Sequence, residues 1–119
     1  LTGENGAPAP IGSVYTGLVT EPCAVAGEHP GHLYLEWGRS MEEDFSHYEL
    51  YRSEIPGFTA DETTFVADIQ QEPEYVVGRC SDMGLKEHTR YYYRVRAVNK
   101  AGQRSALSRE FGAYTRESI

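Results

Sequence analysis

A chain of 119 residues, 39% apolar and 12% aromatic, is large enough to close one hydrophobic core and too aromatic to remain disordered. Its formal net charge of −7, with no block of Lys or Arg, argues against nucleic acid and against an anionic membrane surface as partners. No apolar run approaches the roughly 20 residues that a membrane-spanning helix needs.

In chain order, residues 1–12 are rich in Gly, Pro and Ala and read as a linker. Residues 13–116 read as one domain and 117–119 as a tail. Leu1 to Pro10 lack the basic start and apolar centre of a signal peptide, which leaves a cytosolic chain or, the expected origin, a segment of a longer secreted or cell-surface protein. Val14–Thr20 is the first strand candidate, followed by a long polar loop over Glu21–Gly31 that contains Cys23. In His32–Gly38, Leu33, Leu35 and Trp37 alternate with Tyr34 and Glu36, the two-residue period of a strand with one buried face. His47–Ser53 alternates again, with Tyr48 and Leu50 on one side and Glu49 and Tyr51 on the other. Ile55–Thr64 reads as a loop, and Thr64–Gln70 and Glu74–Arg79 as two further strands. Thr89–Asn99 is the clearest strand. It places Tyr91, Tyr93, Val95 and Ala97 on one face and Tyr92, Arg94, Arg96 and Val98 on the other. A turn at Lys100–Gly102 leads to a last strand within Leu107–Thr115. About seven short strands, with no capped helical period, predict an all-β, two-sheet sandwich in preference to a barrel.

Groups capable of chemistry are present without a catalytic pattern. His29 and His32 have the spacing of two metal ligands, but no third ligand lies near them in sequence. Carboxylates such as Glu42, Glu43, Asp44, Asp61, Glu62, Glu72 and Glu74 fall in predicted turns rather than across a cleft. No nucleophile elbow, phosphate-binding loop or calcium loop occurs. No cofactor or metal is therefore expected, and no catalysis. Cys23 and Cys80 are compatible with a disulfide in an oxidising compartment or with two buried thiols in a reducing one.

Three anchors resemble the fibronectin type III pattern. Trp37 closes Leu33-x-Leu35-x-Trp37 in the place of that family's core tryptophan. Phe45-Ser-His-Tyr48-x-Leu50-x-Arg52 is similar to its third strand. Leu85 lies six residues before Tyr91 in Thr89-x-Tyr91-x-Tyr93-x-Val95-x-Ala97, the spacing of the family's tyrosine corner, in which a buried ring sends its hydroxyl to backbone upstream. Ser105-x-x-Ser108 and Phe111-x-Ala113-x-Thr115 resemble the final strand. The resemblance spans about residues 13 to 116 and implies an immunoglobulin-like sandwich with Trp37, Tyr48, Leu85, Tyr91, Tyr93 and Val95 in its core. It also implies that the first-to-second and fifth-to-sixth connections share an end, where Cys23 and Cys80 can meet; otherwise they are two separate small apolar residues. Within that fold Glu49, Tyr51, Tyr92, Arg94, Arg96 and Tyr114 share an outer face, either to pair across strands or to bind.

The stretch from His88 to Asn99 resembles modules appended to secreted bacterial carbohydrate-active enzymes. The implied role is a non-catalytic spacer or docking module in a multidomain, glycan-degrading protein, with neighbouring domains as partners. The rivals are a carbohydrate-binding module that uses exposed tyrosines and a protein-binding adhesion or receptor ectodomain.

Overall fold

The computed structural model describes residues 18–117. Seven strands form: β1 (Cys23–Ala26), β2 (Leu33–Gly38), β3 (Phe45–Ser53), β4 (Phe65–Ile69), β5 (Val77–Asp82), β6 (Arg90–Asn99) and β7 (Phe111–Tyr114). They make an antiparallel sheet of order β1-β2-β5 facing a second of order β4-β3-β6-β7. This is the all-β, two-sheet sandwich that the alternation of side chains predicts.

The interior follows from that alternation. Leu33, Leu35 and Trp37 of β2 meet Tyr48 and Leu50 of β3 and Tyr91, Tyr93, Val95 and Ala97 of β6 in one buried cluster. Trp37 packs edge-on against Tyr48, with ring centroids 5.2 Å apart. Inward residues of both sheets thus bury one another's apolar area, the dominant favourable term in holding the layers together.

Several boundaries differ from the sequence expectation. Of the predicted first strand Val14–Thr20, residues 14–17 lie outside the described part, and Leu18–Thr20 are not strand. Thr20 nonetheless accepts a hydrogen bond from the Gly38 N–H at 2.7 Å. Pro22 has no N–H to offer a ladder, so pairing begins at Cys23, inside the stretch expected to be a polar loop. The fifth strand starts at Val77 rather than Glu74, because the Gln71 side-chain amide donates to the carbonyls of Glu72, Tyr75 and Val77 and holds a turn there. Strand β7 is shorter than expected. Ahead of it, Ser105 and Ser108 accept the β6 N–H groups of Ala97 and Val95 on their hydroxyls, while their own N–H groups donate to the carbonyls of the same two residues. Side chains there replace half of a ladder.

The registers define two poles. β2 and β6 run toward one pole, which carries the β2–β3, β4–β5 and β6–β7 connections. The chain enters β1 there, at Thr20 beside Gly38. It leaves at the other pole, where Tyr114 pairs with Arg90 and the Thr115 N–H donates to the Thr89 carbonyl.

Candidate binding face

The outer side of the four-stranded sheet carries the residues expected to form a face. Register places Glu49 opposite Arg96, Tyr51 opposite Arg94, and Arg90 opposite Tyr114. The structure divides these residues into two regions.

Around Glu49 the polar groups satisfy one another. Arg96 Nε and Arg104 Nε each donate to Glu49 Oε1 at 2.9 Å, Arg104 Nη2 donates to Oε2 at 3.2 Å, and the Tyr51 hydroxyl donates to Oε1 at 2.9 Å. Arg96 Nη2 also donates to the Tyr51 oxygen at 2.7 Å. Burial opposes the charge on Glu49, but the bonds from Arg104, Arg96 and Tyr51 outweigh it and hold the carboxyl at a pKa of about 2. The same environment, burial first and then the bond to Glu49, raises the Tyr51 phenol. Glu49 and Tyr51 are therefore only 7% and 4% exposed. Of the two roles open to Tyr51, the structure shows cross-strand pairing: Arg96 stacks above its ring at 5.2 Å and Phe65 meets it edge-on. A hollow of about 350 Å³ remains above them, walled by Asp61, Glu62 and Phe65.

The second region is more open. Arg90 lies 5.3 Å from the Tyr92 ring and 5.6 Å from that of Tyr114, which is 58% exposed. Arg94 is half-buried, and its Nε donates to the Ser108 carbonyl.

The expected core residues hold the scaffold behind this face. Trp37, Tyr48, Tyr91, Tyr93 and Val95 are each at most 4% exposed, and Leu85 packs half-buried against the same cluster. Leu85 donates its N–H to the Gly31 carbonyl, and the Tyr91 hydroxyl accepts the Lys86 N–H at 2.9 Å. That is the tyrosine corner. Sequence reasoning missed two polar elements. Arg104 lies just after the β6–β7 turn and reaches Glu49 because it bridges Val98 on β6. Asp82, buried at the end of β5, accepts both bonds from Arg52 and one from the Tyr93 hydroxyl, linking the two sheets. Burial and then the Asp82 bond raise the Tyr93 phenol; at Arg52 burial opposes the charge, but Asp82 overcomes it and the pKa rises. Both missed links are long-range pairings that no local spacing reveals.

The implied disulfide is a correction. Cys23 and Cys80 are free, on β1 and β5, with β2 between them. Cys23 pairs with outward Glu36 and Cys80 with inward Leu35, so the thiols project to opposite sides of the sheet. Burial, followed by the Asp82 charge, pushes the Cys80 thiol up to about 11.

His29 is exposed, whereas the His32 ring packs over Gly27 with both nitrogens buried. His47 lies on β3, inside its sheet, and His88 lies in a turn with a left-handed φ of 47°. His47, Glu49 and Asp68 bring ligand atoms within 4.8 Å of one another. However, two guanidiniums already occupy Glu49, which places positive charge where a cation would sit.

The family profile described as "Fibronectin type III domain" matches residues 24–111. No curated protein matches the chain significantly. Among solved structures, the chain is similar to an Fn3-like protein from Clostridium thermocellum, at 22% identity and a TM-score of 0.66, covering 87% of this chain and 97% of that one. It is also similar to a β-1,2-glucanase from Parabacteroides distasonis, at 24% identity and a TM-score of 0.61, covering 95% of this chain but 15% of the enzyme. A third likeness is the pectate lyase Pel3 from Pectobacterium carotovorum, at 14% identity and a TM-score of 0.55, covering 78% and 26%.

Proposed function

The chain belongs to the fibronectin type III domain family, and from that premise we propose that it is a non-catalytic link that spaces and docks neighbouring domains of a secreted, glycan-degrading protein. The observation that carries this reading is the path of the chain. It enters at one pole beside Gly38 and leaves at the other beside Arg90, so segments joined at its two ends are held apart. The ten residues of β6 alone span about 33 Å. The glucanase and the pectate lyase, of which this chain covers 15% and 26%, support a setting among larger glycan-degrading proteins.

The test joins a spin-labelled folded reporter to each end and measures the distance between labels. A single narrow population, longer than the strand span, is expected. A broad distribution typical of a flexible tether, or turnover of glucan or pectate by the 119-residue chain alone, would overturn the reading.

A second reading, sugar binding, is favoured by Tyr114, whose exposed ring lies with Tyr92 around Arg90. Retention of the chain on glucan or pectate, lost in Tyr114→Ala and Tyr92→Ala, would select it over the link alone.

A further inference from the structure

The two most exposed large apolar side chains among the described residues are found together. Met41 on the β2–β3 loop is 83% exposed and Val76 on the β4–β5 loop is 86% exposed. With Arg39, Ser40 and Glu42 they line one hollow of about 360 Å³ at the pole where the chain enters β1. Isolated surface apolar residues need no explanation, but a pair converging on one hollow does.

The loops that present this pair are braced. Arg39 Nη1 crosses between them and donates to the carbonyls of Tyr75 at 2.7 Å and Pro73 at 3.3 Å. The Tyr48 hydroxyl, at the end of a fully buried side chain, accepts the Ser40 N–H and donates to Gln71 Oε1. Gln71 in turn holds the Glu72, Tyr75 and Val77 carbonyls. Arg79 stacks on the Tyr75 ring at 4.1 Å. The network runs from the core to the loop tips, so Met41 and Val76 are held outward on a fixed support. Such preorganisation lowers the entropic cost of docking.

Charge selects the partner. Loop residues 39–44 and 70–76 carry Glu42, Glu43, Asp44, Glu72 and Glu74 against Arg39, which is committed to backbone carbonyls, and the adjoining β6–β7 turn brings Lys100 beside Asp44. Glu42 lines the hollow itself, and the two loops that form it stay acidic on balance around the apolar pair. A second copy presenting the same pole would be repelled, whereas a cationic surface with a protruding apolar side chain fits both features.

We propose that this pole is a docking surface for a basic polypeptide partner, which seats an apolar side chain between Met41 and Val76 beside Glu42 and the other carboxylates of the two loops. The proposal deepens the linking role, and it rests on that reading for the partner being another polypeptide. Docking is measured separately from spacing, so either can fail alone.

The probe is a short blocked peptide of alternating Lys with Leu and Phe, compared with its twin in which Glu replaces Lys. Each is titrated into the isotopically labelled 119-residue chain and followed by amide chemical shifts. The basic peptide is expected to move the amides of residues 40–43 and 74–77 selectively and to bind at least about tenfold more tightly than its twin. Met41→Ser with Val76→Ser, both at exposed positions, is expected to weaken binding about tenfold, and Glu42→Lys with Glu74→Lys by at least as much. Shifts centred instead on the acidic turn at Asp61 and Glu62, equal affinity for the two peptides, unchanged affinity in either double variant, or no shifts at all would overturn it.

Discussion

A carboxylate that receives two guanidiniums and a phenol on the outside of a sheet, as Glu49 does, makes folding sensitive to acid. Its folded pKa of about 2 lies below its ordinary value of 4.5. It therefore contributes stability above the unfolded pKa, and that contribution is lost as pH falls from about 5 toward 2. The difference corresponds to about 3 kcal/mol. Glu49→Gln is expected to destabilise the chain by about 2–3 kcal/mol at neutral pH, and the gap from wild type should close below about pH 3. Thermal melts of both proteins across that range would check it; a gap independent of pH would contradict it. At the opposite sheet, the indole of Trp37 lies directly over Gly78, where a Cβ would overlap Nε1 and neighbouring ring atoms. Trp37 is 1% exposed and has no room to withdraw. Gly78→Ala is expected to cost about 3 kcal/mol in urea unfolding, as overpacking does.

Among the elements, strands with strong alternation were legible in the sequence, whereas those defined by a partner were not. β2 and β6 place apolar residues at every second position, and their buried faces follow directly, whereas β3 alternates only at Tyr48 and Leu50 and buries Glu49 and Tyr51 as well. β1 is four residues of Cys, Ala and Val preceded by Pro22, and its existence depends on the backbone of β2. The face around Glu49 was legible as a set of residues sharing one side. That Tyr51 would be covered was not, because Phe65 reaches it only through the bulged pairing of β3 with β4, and Arg104 reaches its neighbour Glu49 only through the β6–β7 turn. Placing Cys23 and Cys80 on opposite faces of one sheet has a direct chemical outcome. Brief alkylation of the native chain with iodoacetamide should label exposed Cys23 at least about tenfold faster than half-buried Cys80, whose thiolate is disfavoured. Peptide mass mapping would read the ratio, and equal rates or an unreduced link between the two would contradict the assignment.

At the scale of the molecule, the two sheets meet through a shared apolar core and, near the end of β5, through an ionic clamp. Asp82 there holds Arg52 of β3 and Tyr93 of β6. Removing the carboxylate leaves a guanidinium and a buried hydroxyl without their acceptor, the costly case for an ion pair in the interior. Asp82→Ala is expected to lose about 3 kcal/mol. Asp82→Ala with Arg52→Leu should recover part of that loss, because an apolar side chain then fills the gap. Denaturant midpoints of the two variants would show it, and a double variant weaker than the single would contradict it. The route of the chain through the sandwich also determines how it answers tension. A pull on the two ends drags β1 along β2 and β7 along β6, so the cross-strand bonds of each pair resist sliding together instead of unzipping one after another. Stretched by its two ends, the domain should yield abruptly at a threshold force rather than lengthen gradually.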